Sequence, residues 1–353
     1  MTLTRRVRMI DVAEAAGVSR TTASFVLNGR EAAIPPETQQ RVLEVAHRMG
    51  YHPHAGARAL ATGKTNRIAI VLNDPDSFGS QDMYLTRIMY GIMRGAVRRN
   101  CNILLHSAQH PDWRALYRDI LSGTTDGVLL VGRGAGDELT PALLEARFPT
   151  VCLSFHVDHP RCYAVDCDNE TGAYLALKHL ISLGHRHIAF VYPGQEISWG
   201  RERYQGACRA LDEAGLSAAN LHVHDWQEKY RTTEDWYLSA IEFLKTAQPS
   251  PTALVCCEES RVRHLVELLP GAAIRVPEDL SVISFNSTEI SERSHPPLSS
   301  VWQSLDEVGD AGVEVLMKLI ANEAPEPRIH RVPMKLDVRE SCLAHAQFAV
   351  VTA

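Results

Sequence analysis

The most constraining feature of this 353-residue sequence is a repeated alternation of short apolar runs with longer segments of helical periodicity. The apolar runs are 68–72, 103–105, 127–131, 151–153, 187–191, 253–256 and 281–285. Such runs are typical of parallel strands buried on both faces, with helices as the crossover connections. The segment that contains them, about 290 residues, is too long for one simple core. We predict an α/β body of two doubly wound parallel-sheet lobes over residues 66–353.

The first 52 residues have a different pattern, in which short helical segments surround a glycine. Gly17 can adopt the positive φ that a tight turn between two helices requires. Ser19 is a suitable N-cap for a second helix that begins near Arg20. Pro35 and Pro36 suit the first turn of a third helix. The apolar stripe of that helix consists of Val42, Val45, Ala46 and Met49. The pattern predicts an all-α, three-helix helix-turn-helix head over residues 1–52.

Charge is distributed unevenly between the head and the body. Residues 1–64 contain nine basic and five acidic side chains, a net charge of +4, so the remainder has −10 to give the total of −6. A basic head on an acidic body is expected of a protein that contacts phosphates with one end. Charge therefore favours DNA binding over the alternative, a three-helix module that binds another protein.

The second predicted helix has two faces. The inward face consists of Thr22, Ala23, Val26 and Leu27. The outward face, which would enter the major groove, consists of Arg20, Thr21, Ser24, Phe25 and Asn28. Arg20 and Thr21 are the main candidates for hydrogen bonds to base edges.

The head resembles that of LacI/GalR-type bacterial transcriptional regulators, and the resemblance continues through the chain. The shared elements are Asp-Val-Ala at 11–13, Ala-Gly-Val-Ser at 16–19, Val-Leu-Asn at 26–28, Gly-Tyr-His-Pro at 50–53, Ala-Arg-Ala-Leu at 57–60 and Leu-Asp-Val-Arg-Glu-Ser at 336–341. The resemblance implies a homodimer, with a tetramer left open, that represses transcription from a pseudo-palindromic operator. A small molecule bound between the lobes would switch its operator affinity.

The resemblance also implies a hinge helix and linker over residues 53–65. Leu60 would insert between base pairs from the minor groove and kink the DNA, and Arg58 is a further expected DNA contact. The segment is too short to be a stable helix in isolation, so we expect it to order on DNA. A flexible linker is the alternative, and Gly56 favours it.

Three positions of the head depart from the family's pattern. Arg8 stands where a threonine usually caps the first helix, and Pro35 where a serine caps the third and contacts phosphate. Arg8 would then replace one phosphate contact. Phe25 stands where a polar residue is common, so we expect it to contact a thymine methyl group. The full set of predicted DNA-binding residues is Arg8, Ser19, Arg20, Thr21, Thr22, Ser24, Phe25, Asn28, Arg58 and Leu60.

The cleft between two such lobes, at the carboxyl ends of the strands, is the natural ligand site. The predicted effector-binding residues are Tyr84, Arg203, Trp226 and Asn286. The resemblance implies that Arg203, in Arg-x-x-Gly, binds hydroxyls and that Trp226 stacks on the ligand ring. Tyr84 and Trp226 could instead belong to the lobe cores, and Arg203 could cap or pair within its own helix.

Two departures lie in the same cleft. Asn286 replaces an aspartate that accepts bonds from the ligand, and Glu-Glu at 258–259 replaces Asn-Asp. These changes indicate an uncommon effector or a weak response. A neutral sugar or glycoside is the favoured effector, whereas induction and co-repression both stay open.

Patterns for other kinds of site are absent from the sequence. The histidine pairs at 156/159, 185/187 and 222/224 have no second ligand set at matching spacing, so no metal or other cofactor is expected. The eight cysteines form no Cys-x-x-Cys, and there is no signal peptide or apolar run of membrane length. We expect a cytoplasmic, nucleoid-associated protein that is not an enzyme. A periplasmic-type solute-binding protein and an enzyme on the same two-lobe scaffold are the alternatives.

Overall fold

The structure of the chain is a computed structural model that describes residues 7–28, 34–52, 56, 59, 63–72, 83–107, 112–132, 137–225 and 233–345. The chain divides into two compact units. The head unit contains residues up to 67 together with 119–126, and the body contains 68–118 and 127–353.

Three helices form the first part of the head unit: α1 (Met9–Ala16), α2 (Arg20–Leu27) and α3 (Pro36–Arg48). The turn after α1 depends on Gly17, whose φ is +64°, a backbone conformation that strains residues with a Cβ. The second helix begins at Arg20 and the third at Pro36, so the three-helix prediction is confirmed.

The three helices share a small apolar core. Its buried members are Val12, Ala13, Ala16, Ala23, Val42, Val45 and Ala46. Val26 and Leu27 pack against this core, as predicted for the inward face of α2. The Nε of Arg41 donates to the carbonyl of Ala16 at 3.1 Å, which satisfies an end carbonyl of α1 and ties α3 to it.

The segment after α3 is described in part. Gly56 and Ala59 are helical, and the Gly63 amide donates to the Ala59 carbonyl at 2.8 Å. The Thr65 amide and hydroxyl donate to one carboxylate oxygen of Asp126, at 2.7 and 2.9 Å. Asp126 thus fixes the chain just before its first strand.

Lobe 1 of the body is built on a six-stranded sheet. Its strands are β1 (Arg67–Leu72), β2 (Asn102–Ser107), β3 (Gly127–Val131), β4 (Thr150–Leu153), β5 (Tyr163–Cys167) and β11 (Ile329–Val332). They lie in the order β11-β5-β4-β3-β1-β2, and the registered pairs are parallel. Its helices are α4 (Tyr84–Arg98), α5 (Trp113–Asp119), α6 (Leu139–Glu145) and α12 (Leu305–Ile320).

Lobe 2 repeats this arrangement. Its strands are β6 (Ile188–Tyr192), β7 (Leu221–Asp225), β8 (Ala253–Cys256), β9 (Ser281–Asn286), β10 (Ser299–Gln303) and β12 (Met334–Asp337). They lie in the order β12-β10-β9-β8-β6-β7, and only the pairing of β12 with β10 is antiparallel among the registered pairs. Its helices are α7 (Asn169–Ser182), α8 (Ser198–Glu213), α9 (Thr233–Thr246), α10 (Glu259–Leu268) and α11 (Glu289–Arg293).

Two pairs of helices pack closely enough to need glycine. A Cβ on Gly91 of α4 would lie 2.0 Å from the carbonyl oxygen of Asp306 in α12. A Cβ on Gly206 of α8 would lie 2.0 Å from the carbonyl oxygen of Glu170 in α7. The first contact holds α12 on lobe 1, although it follows a strand of lobe 2 in sequence. The chain therefore crosses between the lobes after β5, after β10 and between β11 and β12.

The predicted two-lobe α/β body is confirmed, and each of the seven apolar runs coincides with a strand to within one residue at its start. The sequence did not indicate β5, β7, β10 or β11. Their composition explains this, because β10 is Ser-Ser-Val-Trp-Gln and β7 alternates leucine or valine with histidine. Among the described residues, no helix has the length and apolar character that a membrane crossing needs.

Candidate functional sites: helix α2 and the interlobe cleft

Helix α2 exposes part of its predicted reading face to solvent. Arg20 and Thr21 are exposed, whereas Ser24, Phe25 and Asn28 are half-buried. The Asn28 amide donates to the Ser24 hydroxyl at 3.2 Å, so these two side chains support each other in the isolated chain. Arg20 and Thr21 are thus the outermost polar groups of the helix start.

The start of α2 is capped as predicted. The Ser19 hydroxyl accepts the Thr22 amide at 3.0 Å and lies 2.8 Å from the Thr22 hydroxyl. At α1, the Arg8 amide donates to Asp11 at 2.8 Å, while the exposed Arg8 guanidinium lies 3.6 Å from the same carboxylate. Arg8 is therefore positioned by its backbone, with its cation near the surface. Arg58 and Leu60 lie outside the described residues.

The cleft between the lobes encloses a cavity of about 220 Å³. Its lining residues are Tyr84, Gly132, Ser154, Asp166, Asn169, Trp199, Arg203, Cys257, Glu258, Asn286 and Gln303. Most of them lie at or just after the carboxyl ends of strands in both sheets, where doubly wound folds bind ligands. Tyr84, Arg203 and Asn286 are brought together here, whereas Trp226 lies outside the described residues.

Arg203 is a buried cleft residue with several hydrogen bonds. Only 5% exposed, it donates from Nε to Asn169 Oδ1 and from Nη1 to the Cys257 carbonyl, both at 2.9 Å. Its Nη2 lies 3.5 Å from Gln303 Oε1. The guanidinium carbon lies 4.6 Å from the ring centre of Trp199 and 4.0 Å from that of Phe285. These hydrogen bonds reach residues outside its own helix, which contradicts the alternative of a helix cap or local salt bridge.

Asn286 lies at the end of β9 in an uncommon backbone conformation. Its φ is +91° and that of Ser287 is +48°, so the chain turns sharply where the strand meets the cleft. Gln303 Nε2 donates to Asn286 Oδ1. Arg203, Gln303 and Asn286 therefore form a continuous polar row along one wall.

Tyr84 has both predicted environments. It begins α4 and packs against the body core, yet it also lines the cavity near Ser154 and Asp166. Burial raises the pKa of its phenol, so the hydroxyl stays protonated and can donate to a ligand.

Asp166 is a buried carboxylate that the sequence did not single out. Burial, followed by the neighbouring carboxylate of Glu202, raises its pKa to about 7. Arg331 opposes this shift but pairs mainly with Glu202, to which it donates from both terminal nitrogens. His156 Nε2 lies 3.7 Å from Glu202, and burial lowers the pKa of His156, which favours the neutral ring.

The two glutamates at 258–259 have different roles. Glu258 lines the cavity and is held by Ser260 at 3.0 Å and Arg261 at 2.6 Å. Glu259 is fully buried and accepts the amides and hydroxyls of Thr288 and Ser291. The expectation that both change the cleft is therefore wrong for Glu259, because its carboxylate fixes the start of α11.

The sequence missed Trp199, Asp166, Asn169 and Gln303 as cleft residues. Asp166, Asn169 and Gln303 lie at or just after the ends of β5 and β10, which the apolar runs did not reveal, whereas Trp199 lies in the first turn of α8. The first three residues could have been found from their position at the ends of strands, but only if β5 and β10 had been predicted. In the part of the chain that the structure describes, no group of three histidine, cysteine or acidic residues could hold a metal ion.

Family models match two parts of the chain. Residues 8–54 match bacterial regulatory proteins of the lacI family, and residues 177–342 match a periplasmic binding protein-like domain. Catabolite control protein A of Priestia megaterium is 28% identical over 338 residues, which are 95% of this chain and 99% of that protein. The HTH-type transcriptional repressor PurR of Vibrio vulnificus is 28% identical over 334 residues, 94% and 97% of the two chains.

Solved structures agree with this similarity. A complex of the transcriptional regulator CelR with cellobiose has a TM-score of 0.70 and 27% identity, and covers 95% of this chain and 100% of that one. The Lac repressor dimer bound to operator and an anti-inducer has a TM-score of 0.77 and covers 96% of this chain and 100% of that one. At 22% identity, this similarity is evidence for the fold alone. With its helix-turn-helix head and its two-lobed body, the chain belongs to the lacI family of DNA-binding transcriptional regulators.

Proposed function

We propose that this regulator is a repressor whose operator affinity is switched by a neutral saccharide bound between its lobes. The observation that carries the proposal is the cleft itself, where polar and aromatic side chains of both lobes surround one cavity. A ligand that contacts both lobes binds differently to different lobe angles, and this difference in affinity is what allosteric switching requires. A difference of ~1–3 kcal/mol between states is sufficient.

DNA would be read by the exposed face of α2. Arg20 and Thr21 donate to base edges, Phe25 contacts a thymine methyl group, and Ser24 and Asn28 complete the face. Ser19, Thr22 and Arg8 lie beside the helix start, where phosphate contacts are expected. Support comes from the exposure of Arg20 and Thr21 and from the basic charge of the head.

A saccharide suits the cleft because its wall combines aromatic and amide side chains. Trp199 offers an apolar ring face, and Asn286, Gln303 and Asn169 offer neutral donors and acceptors. The similar regulator CelR is a cellobiose complex, which makes cellobiose a reasonable first probe. Trp226 remains a proposed stacking residue, while Tyr84, Arg203 and Asn286 line the cavity already described.

We propose a homodimer formed in part through lobe 1. Tyr90, Met93 and Val97 form an exposed stripe on α4 and are 58%, 56% and 80% exposed. Leu105 on β2 is 50% exposed. Large apolar side chains exposed together in this way mark an interaction surface. The similar Lac repressor was solved as an operator-bound dimer.

The hinge would complete the operator contact. We expect Leu60→Ala to lower operator affinity and DNA bending without destabilising the body, because Leu60 would act as a wedge only on DNA. A gel-shift bending assay with unchanged bend angle would contradict the hinge assignment. We further propose that the protein acts in the cytoplasm, associated with the nucleoid, and has no enzymatic activity.

Selection of fragments from random DNA by the purified full chain tests the proposal. A repressor should enrich a pseudo-palindromic site, and a saccharide should then change the affinity for that site. Arg20→Ala should weaken binding with relaxed base preference, and the exposed helix residue Glu14→Ala serves as the matched control. Failure to enrich any site would contradict sequence-specific binding, and would favour a solute-binding role for the body.

A further inference from the structure

Unlike Glu258, the other carboxylate of the cleft, Asp166 has a buried oxygen that lacks a donor. The residue is 2% exposed, and its Oδ1 accepts the Cys167 amide at 2.7 Å. Its Oδ2 is buried and accepts no hydrogen bond from any residue that the structure describes. Buried carboxylate oxygens are normally satisfied, so an open acceptor on the cavity wall points to a donor from a bound molecule.

The neighbouring cations do not fill this position. Arg331 Nη1 lies 3.7 Å from Asp166 Oδ2, beyond hydrogen-bond distance, and its guanidinium is directed at Glu202. Arg203 donates to three other acceptors of the cleft wall. The two cations that act on Asp166 are thus both bonded to other partners.

The charge of the cleft limits the ligand. Among the lining residues, Arg203 is the cation and Asp166 and Glu258 are the anions. Glu258 is paired with Arg261 at 2.6 Å. Because Arg203 is already surrounded by acceptors and balances Asp166, the cavity offers little to neutralise an anionic ligand. A neutral ligand with hydroxyl donors fits it better.

We propose that Asp166 is a specificity-determining residue, whose Oδ2 accepts a hydrogen bond from a hydroxyl group of a neutral saccharide in the cleft. This inference rests on the proposed saccharide effector, and it adds that Asp166 determines which saccharides bind. The same carboxylate disfavours anionic analogues, such as aldonates, by like-charge repulsion.

Proton linkage follows from this role. Burial and Glu202 raise the pKa of Asp166 to about 7, with Arg331 and Arg203 acting in the opposite direction. Between pH 6 and pH 8 the ionised fraction of such a group rises about tenfold. Because the ionised carboxylate accepts the hydroxyl most strongly, saccharide affinity should rise over this interval.

Three other titratable groups near Asp166 are shifted toward their neutral forms. Burial lowers the pKa of His156 and raises those of Cys167 and Tyr84. Comparison of the wild-type pH profile with that of Asp166→Asn therefore isolates the part of the pH dependence that belongs to Asp166.

Calorimetric titration of the full chain at pH 6, 7 and 8 tests the inference. The probes are cellobiose, maltose, lactose and sucrose, with cellobionate as the anionic analogue of cellobiose. The variant is Asp166→Asn, which keeps the shape of the side chain. The matched control is Asp168→Asn, two residues away, where Asp168 caps α7 by accepting the Thr171 amide at 3.1 Å and asparagine caps equally well.

We expect at least one neutral disaccharide to bind with a Kd about tenfold lower at pH 8 than at pH 6. Asp168→Asn should keep this dependence, Asp166→Asn should abolish it, and cellobionate should bind more weakly than cellobiose. Three results would overturn the inference: no disaccharide binds at pH 8, the Kd is the same at pH 6 and pH 8, or Asp166→Asn keeps the wild-type profile. The operator selection described above is independent of these results, so it shows separately whether the proposed regulator function fails.

Discussion

Replacing Arg203 by methionine should destabilise the body far more than removing an ordinary surface arginine. Arg203→Met leaves Asn169 Oδ1 and the Cys257 carbonyl without their donors, which now lie at 2.9 Å. Each buried acceptor left unpaired costs about 1–3 kcal/mol, and the 3.5 Å contact with Gln303 adds little. We therefore expect the free energy of unfolding to fall by about 2–6 kcal/mol.

Urea denaturation followed by tryptophan fluorescence measures this loss, because Trp199 stacks on the guanidinium. The matched control is Arg209→Met, in the same helix. Arg209 is half exposed, pairs with Glu170 at 2.5 Å and lies over the Tyr174 ring. Its loss should cost about 0–1 kcal/mol, as is usual for exposed ion pairs. Equal losses in the two variants would refute the view that buried acceptors make Arg203 a structural as well as a binding residue.

Three further substitutions test other parts of the structure. Ser19→Ala should lower the free energy of unfolding of the head by about 1 kcal/mol through loss of the α2 cap, and an unchanged thermal unfolding of the head would contradict that role. Gly206→Ala should lower the free energy of unfolding in urea by about 1–3 kcal/mol, because the new Cβ would lie 2.0 Å from a backbone carbonyl oxygen. The control is Gly271→Ala, where a Cβ would have no atom within 4 Å. The pKa of Asp166 is raised from 3.8 to about 7 on folding, so the free energy of unfolding should fall, by at most about 4 kcal/mol, as pH rises from about 4 to 7. Asp166→Asn should remove this pH dependence of the free energy of unfolding. If the urea midpoint of the variant depends on pH as that of the wild type does, the raised pKa of Asp166 is contradicted.

The head could be predicted from sequence almost in full, because its signals are local. A glycine with positive φ, a serine cap and an apolar stripe each act within a few residues, so they define α1, α2 and α3 directly. The buried strands were predictable for a similar reason, since continuous apolar runs need no partner to be recognised. Strands with mixed composition, such as β10, were not, because their burial depends on neighbours distant in sequence.

The location of the cleft and three of its residues were predictable from the sequence, but the contacts between its side chains were not. Resemblance and topology indicated Arg203, Asn286 and Tyr84, and the structure brings these three residues together. Only the fold separates the two adjacent glutamates, with Glu258 facing the cavity and Glu259 buried under α11. Their side chains leave the backbone on different sides, which a sequence cannot show.

By itself, the sequence determined the class of the protein, a DNA-binding head with a two-lobed α/β body. Helix caps, turns and apolar runs are local signals, and they were sufficient to predict these two parts. Tertiary structure alone decided which side chains meet. It packs α12 against lobe 1 through the contact of Gly91 with Asp306. It also places Asp166 on the wall of the cleft with one carboxylate oxygen that accepts no hydrogen bond from the described residues. Both outcomes depend on strand order and close backbone packing between segments more than a hundred residues apart, and no local pattern encodes such distances.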